Sequence, residues 1–300
     1  MEVKTVPRPD SATYSSYSAM GNNRHDYEAC VAYHDEWGLY GLHCHDFYEF
    51  YIHFQGARHY FIDNNVYPLE ACHLMIIPPF RMHGLIGEQE LLQYQRCFLY
   101  ISPSMLKSCG GGQIDLEALV SQHTQSGAYQ YRMTEEEARR CHALMQDLQQ
   151  TQDSSATLAR FDNYAKLVQI LQIICQVMSR SSEVLKPIVV NEAMQEVLAY
   201  INRSYTSTIK LETLARQFGV SVSFLSHEFV KYTGRSVYDY VLYRRVLQAK
   251  ELINTSMPLN EVAYQCGFND YSSFLRSFTK LTGMSPSAYR KSTKQGLGNG

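Results

Sequence analysis

The sequence predicts an α+β multidomain chain: an N-terminal β-barrel or jelly roll with helices after it, then an all-α C-terminal domain. That domain should hold two helix-turn-helix units joined by a long helix. Three observations carry the prediction. Between Asp26 and Ser102, short runs rich in Tyr, Phe, Val and Ile alternate with Gly, Asn and Pro. Helical periodicity takes over after the break Gly110-Gly111-Gly112. In the C-terminal part, a stretch of about thirty residues occurs twice with a period of 48 to 49 residues.

In chain order, residues 1–24 are polar and turn-rich and are expected to be loose, ahead of a β domain over 25–108. A helical dimerisation or linker region is expected over 109–186. In it, Thr134 followed by Glu135, Glu136 and Glu137 reads as an N-cap with an acidic first turn, opening a helix to about Gln149. A second helix, Ala156 to Met178, repeats Leu158, Phe161, Ala165, Val168, Leu171, Cys175 and Met178 at three- and four-residue steps. Leu167, Ile170, Ile173, Ile174 and Val177 widen that stripe, so it either packs on the β domain or forms the seam of a homodimer, or does both. Ser181, Ser182, Lys186 and Pro187 mark a linker, with Pro187 in the first turn of a further helix through Val190, Met194, Val197, Leu198 and Ile201. The last domain is placed at 187–294 and a flexible tail at 295–300.

Composition limits the function classes. With 45% hydrophobic and 19% charged residues, the chain of 300 is a folded protein with room for two cores. No apolar run is long enough to span a membrane, the best, Leu167 to Met178, being broken by Gln169, Gln172 and Gln176. The N-terminus has no apolar stretch resembling a secretory signal. Eight cysteines without a CxxC pair fit reduced thiols, so a cytoplasmic, nucleoid-associated location is expected. The net charge of −2 is uneven: residues 1–186 hold 14 Lys and Arg against 21 Asp and Glu, hence −7, and residues 187–300 hold 13 against 8, hence +5. A basic C-terminal part suits phosphate binding, although a solvated basic face would look the same.

The repeat carries the functional reading. Leu211–Tyr240 and Leu259–Tyr289 share Ala215/Ala263, Gly219/Gly267, Phe229/Phe278, Thr233-Gly234/Thr282-Gly283 and Ser236/Ser285. In each copy a small alanine lets a second helix approach, a glycine permits the turn, and an N-cap follows, Ser221 in the first and Asn269 in the second. Leu225, Phe229, Phe274 and Phe278 should be core. The opposite faces are short and polar: Ser223, Ser226 and His227 in one, Tyr271, Ser272, Ser273 and Arg276 in the other. Together with Ser221, Lys231, Lys280 and Arg245 they are the candidates for contacting double-stranded DNA in successive major grooves.

Residues 209–291 resemble the AraC/XylS family of bacterial transcription regulators, through AYQCGFNDYSSFLRSFTKLTGMSPSAYR at 263–290 and Arg245-Val246-Leu247-Gln248-Ala249 on the joining helix. Two departures are His227, where the family often has a basic residue, and Lys210, where Ser or Thr would cap better. In the N-terminal half, His43-Cys44-His45-Asp46-Phe47-Tyr48-Glu49 with Gly56 resembles the first cupin motif, and Leu74 to Pro79 ending at His83 resembles the second. Cys72-His73 replaces the usual Gly-Asp pair.

The cupin resemblance implies His43, His45, Glu49 and His83 as possible ligands of a divalent transition metal. Residues 43, 45, 49, 51 and 53 share one strand parity, which sets Tyr51 and His53 beside them. Regulators of the family commonly use the cupin shape as a metabolite pocket without metal. The main expectation is therefore no cofactor and a small-molecule effector, a sugar or glycoside, bound by His43, His45, Glu49, Tyr51 and His83; packing is the third reading. Aromatics including Tyr33, Trp37, Tyr40, Tyr48, Tyr60, Phe61 and Tyr67 would divide between core and sugar stacking.

The family resemblance implies a ligand-responsive regulator, an activator working with RNA polymerase, with no catalytic residues. The alternative is a cupin metal-binding protein or metalloenzyme with appended helices. Sensing through cysteines lacks a resolving pair or basic neighbours.

Overall fold

The computed structural model describes residues 26–38, 42–63, 65–86, 90–180, 185, 187–188 and 191–296. The segment 1–24, Tyr40, the linker residues Ser181, Ser182 and Lys186, and the last four residues of the tail lie outside these, and of Trp37 only the backbone is described.

Two antiparallel sheets form the N-terminal half. Strands β1 (Tyr27–Gly38), β2 (Tyr48–Gln55), β5 (His73–Ile77), β7 (Glu90–Ile101) and β8 (Gln130–Arg132) pair in the order β1-β7-β2-β5-β8. Strands β3 (His59–Ile62), β4 (Asn65–Pro68) and β6 (His83–Leu85) pair as β4-β3-β6. Alternation along β2 divides the core. Tyr48, Phe50 and Ile52 pack with Leu74, Ile76 and Leu99 toward the helices. Tyr51 faces the other way, with Tyr60, Ile62, Met75, Ile77 and Tyr94. Gly56 is needed where the chain leaves β2: its φ is +91°, and a Cβ there would lie 2.5 Å from the Tyr94 Cα.

Helices α1 (Pro103–Ser108), α2 (Leu116–Gln125), α3 (Glu135–Thr151) and α4 (Thr157–Arg180) cover the outer face of the larger sheet. Thr134 and Glu137 form a full capping box, as the acidic first turn predicts. Most of the apolar surface of α4 resolves to packing: Leu167, Ile170, Leu171, Ile174 and Val177 are buried in the same core as β2. Leu171 is therefore unavailable as a dimer contact, which corrects the expectation of a seam there. Leu158 and Phe161, at the start of α4, are 82% and 72% exposed.

The C-terminal domain opens with α5 (Glu192–Ser204), later than expected. Pro187 is not in its first turn; Ile188 bridges to Val66 on β4, and the Asn191 side chain caps α5 by accepting from the Met194 N–H. The first unit is α6 (Leu211–Gln217) and α7 (Val222–Thr233), and the second is α9 (Leu259–Gln265) and α10 (Tyr271–Thr282). They are joined by α8 (Val237–Ile253), and α11 (Pro286–Gly296) closes the domain. Gly219 and Gly267 hold φ of +66° and +86° at the two turns. At Gly267 a Cβ would come within 2.3 Å of the Thr206 carbonyl oxygen. Ser221 caps α7 as expected, and Lys210 makes no side-chain cap to α6. In the second unit the N-cap is Asp270, not Asn269. Only the residue directly before the helix can reach the N–H three positions on, and Asp270 accepts from Ser273 N–H at 2.7 Å.

The two halves share a core, which the sequence does not announce. Leu42, Cys44, Phe61, Val66, Met82 and Ile86 of the barrel pack in one cluster with Met194, Val197, Leu198, Phe229, Tyr240 and Tyr243. Such an apolar interface favours a fixed relative orientation over free domain motion.

Candidate functional site

The cupin-like residues converge. Ligand-type atoms of His43, His45, Glu49 and His83 all lie within 4.8 Å of one another, and the last three residues are buried. They do not come from one strand face, as parity suggests. Only Glu49 belongs to β2; His43 is delivered by an isolated bridge to His83, and His45 precedes the bend into the strand. Glu49 Oε2 is the hub, 3.1 Å from both His45 Nε2 and His83 Nε2. The opposite nitrogens are engaged by backbone: His45 Nδ1 donates to the Phe47 carbonyl at 2.9 Å and His83 Nδ1 to the Arg81 carbonyl at 2.8 Å. The ring of His45 stacks on Phe47 with centroids 4.0 Å apart.

Burial pushes the His45 imidazole toward its neutral form, and burial with the neighbouring His83 holds His43 well below the usual range. Burial alone would raise the Glu49 carboxyl, but the His45 and His83 rings against its Oε2 hold it far below the ordinary carboxylate value.

Tyr51 stands one residue pair further along β2, outside the cluster. Its hydroxyl is engaged by Tyr94 at 3.0 Å and His53 Nδ1 at 3.2 Å. Tyr51, Tyr60 and Tyr94 fill the barrel interior and are each buried. Burial drives the thiols of Cys30 and Cys109 up to about 11 and those of Cys44, Cys141 and Cys266 up to about 12, so none of these is a thiolate poised for redox chemistry.

In the C-terminal domain Leu225, Phe229, Phe274 and Phe278 are fully buried, as their spacing predicts. Ser221, which caps α7, Ser223, His227 and Lys231 on α7, and Ser272, Arg276 and Lys280 on α10, are exposed; Ser226, Tyr271 and Ser273 are half-buried. Arg276 donates to the Ser273 hydroxyl at 3.2 Å and is otherwise open to solvent. The His227 side chain is 78% exposed. A cleft of about 590 Å³ separates the units, with Ser226 and Val230 on one wall, Asp270 and Ser273 on the other, and Tyr238 of α8 between.

Arg245 has a second role that the sequence does not show. It lines the same cleft, and its guanidinium donates to the Tyr205 carbonyl at 2.7 Å and the Ser207 carbonyl at 2.8 Å, holding the loop after α5. Arg290 does the same after α8, toward Ile253 and Met257. Sequence reasoning also missed Phe224, 51% exposed on α7, and Arg235, Tyr243, Lys250 and Tyr289, which bind the barrel. The strict alternation of Leu42, Cys44 and Asp46 with His43 and His45 was the available signal for that contact.

A buried histidine–carboxylate centre in a β-barrel, packed on paired helix-turn-helix units, defines a sensor domain joined to a DNA-binding domain. Comparison with known proteins agrees. Residues 27–162 match the AraC-like ligand binding domain and residues 214–292 a helix-turn-helix domain. The chain belongs to the AraC/XylS family of transcription regulators.

Over 102 residues it is 36% identical to the HTH-type transcriptional regulator YdiP of Escherichia coli, covering 34% of each chain. Over 103 residues it is 34% identical to the lactose operon transcription activator of Staphylococcus xylosus, covering 34% of this chain and 37% of that one. The match thus spans about a third of the length of these relatives. The C-terminal domain of the response regulator yesN from Fusobacterium nucleatum is 32% identical, covering 33% of this chain and 99% of that one, with a TM-score of 0.32. Among the described residues no helix is long and apolar enough to cross a membrane.

Proposed function

We propose that the chain is a ligand-responsive transcription regulator that reads double-stranded DNA with α7 and α10 and senses a small effector in its N-terminal barrel. The observation that carries this is the pair of recognition helices, each with a buried aromatic side and an exposed polar side, held by one connecting helix. Arg276 is the leading base-reading residue, since its guanidinium is permanently charged and suits bidentate contact with guanine. Ser221, Ser223, Ser226, His227, Lys231, Tyr271, Ser272, Ser273 and Lys280 supply the surrounding contacts. Phe224 adds an exposed ring suited to a thymine methyl.

The effector centre favours a very small ligand. Donor atoms this close leave space for an ion between them, whereas a sugar or glycoside would have to displace Tyr51, Tyr60 and Tyr94. A metalloenzyme would need substrate access to the same centre, and Phe47, Tyr60 and Tyr100 pack around it. Dimerisation through Leu158 and Phe161 and activation through RNA polymerase, the sign borne by the Staphylococcus xylosus relative, complete the reading.

The test is selection of bound duplexes from a random-sequence pool by the full chain, followed by titration against salt. Enrichment of a defined sequence, with affinity falling by orders of magnitude between roughly 50 and 200 mM salt, is expected if about 6–10 phosphates are neutralised. No enrichment, or binding indifferent to salt, refutes the reading.

A further inference from the structure

We propose that His43, His45, Glu49 and His83 bind a divalent transition-metal ion, and that the strand-like segment 42–46 passes its occupancy to the DNA-binding domain. This rests on the reading of the chain as a ligand-responsive regulator and names its effector.

The hydrogen bonds around the centre argue for a cation. A carbonyl oxygen can only accept, so the contacts to Phe47 and Arg81 place the ring protons of His45 and His83 on Nδ1. Each Nε2 then points at the same Glu49 oxygen, 3.1 Å away. If either ring is neutral, a lone pair faces a carboxylate oxygen. If both are imidazolium, two buried cations crowd one carboxylate, with a third histidine ring 4.4 Å from His83. A divalent ion resolves both cases, because the Nε2 lone pairs and the carboxylate all become donors to it. Metal-bound histidines ordinarily give their other N–H to a carbonyl or carboxylate, which is the arrangement here.

Size agrees as well. Bonds of about 2.0–2.2 Å put two donors on one ion no more than about 4.4 Å apart. A cluster spanning 4.8 Å needs only a small contraction. Three imidazoles and one carboxylate suit first-row transition ions over calcium or magnesium.

The same segment is the joint between the halves. Along residues 42–46 the odd positions, His43 and His45, belong to the centre, and the even ones belong to the interface. Leu42 N–H donates to the Thr233 carbonyl at 2.9 Å, and the Leu42 carbonyl accepts from Arg235 Nε at 2.7 Å. The backbone of Cys44 is hydrogen-bonded in both directions by the Tyr243 hydroxyl. Asp46 pairs with Lys250 at 3.4 Å and accepts from the Tyr289 hydroxyl at 3.1 Å. The fourth ligand is tied in too: Arg81, whose carbonyl holds His83, pairs with Asp63, which also faces Arg244 of α8. Contraction of the ligands onto an ion must therefore shift backbone that the turn after α7, and helices α8 and α11, hold directly.

The full chain, stripped with a chelator, is to be loaded in turn with Mn2+, Fe2+, Co2+, Ni2+ and Zn2+. Retained metal is measured after desalting by elemental analysis, and Co2+ ligation by visible absorption. Near-stoichiometric retention of at least one ion is expected, lost in Glu49→Gln and weakened in His43→Gln. Circular dichroism checks that each variant folds, and His43, the least buried ligand, serves if Glu49→Gln does not. Loading should change affinity for a duplex selected by the chain roughly 5- to 150-fold. Tyr243→Phe and Lys250→Ala should keep the metal and lose most of that change. Retention of none of the five ions overturns the proposal, even where salt-dependent duplex binding upholds the regulator reading. Retention with unchanged duplex affinity overturns the transmission. Metal retention without any duplex binding sinks the regulator reading instead.

Discussion

Two arginines that the sequence places in the same DNA-binding class separate in the structure, and truncating each to alanine tests the separation. Arg245 donates two charge-assisted hydrogen bonds, at 2.7 and 2.8 Å, to carbonyls of Tyr205 and Ser207. Such bonds contribute about 1.5–3 kcal/mol each, and the half-buried site lets water replace part of that. Arg245→Ala should therefore cost about 2–3 kcal/mol of stability, lowering Tm by roughly 4–12 °C. Its affinity for DNA, corrected for the folded fraction, should stay within about twofold. Arg276 makes one contact, to Ser273, and faces solvent. Arg276→Ala should leave Tm within about 1 °C, since surface changes usually fall within about 0.5 kcal/mol. It should cost roughly 5- to 150-fold in affinity, concentrated at one base position. Thermal melts and duplex titrations at one salt concentration on single-base variants measure both. If Arg245→Ala melts like wild type and loses affinity, its guanidinium is not where the structure puts it. If Arg276→Ala loses affinity equally on all sequences, with a salt slope smaller by about one, the residue touches phosphate only.

Acid should loosen the barrel through His53, whose imidazole is held down to about 4 by burial and by neighbouring His73. A folded value below the unfolded one of about 6.5 means the unfolded chain takes up the proton first, so stability is full above pH 6.5 and falls as pH drops toward 4. A loss of up to about 3 kcal/mol over that window is expected, and urea titrations of His53→Gln should show a shallower slope; equal slopes would remove His53 as the cause. Phe161→Glu should yield monomers of unchanged Tm by light scattering and melting, whereas Leu171→Glu should unfold the sensor half by burying an unpaired charge; the reverse pattern would return the seam to Leu171. A fragment of residues 187–294 should bind DNA with a steep salt dependence but melt below the full chain, because its barrel-facing surface is uncovered. A fragment as stable as the whole would mean the shared cluster contributes little.

Much of this protein is written in local pattern. Thr134 and Ser221 announce their helices because an N-cap is a local exchange of hydrogen bonds, legible three residues on. The buried phenylalanines of both units follow from helical period, and the turn glycines from the backbone angle that only glycine adopts freely. The four residues of the histidine–carboxylate cluster were legible as a motif, although the strand parity offered for them was the wrong reason: a bridge and a bend bring His43 and His45 to Glu49. What the tertiary structure alone decided is partnership. Arg245 and Arg276 are the same side chain on two different helices, and the position of the loop after α5 makes one a clamp and leaves the other with a single local contact to Ser273. Leu171 and Phe161 lie on one apolar stripe, yet only the sheet beneath α4 determines which is core. Periodicity states that a face is apolar or polar; what meets that face is set by contacts between residues far apart in the chain, such as Cys44 with Tyr243, and no local pattern encodes those.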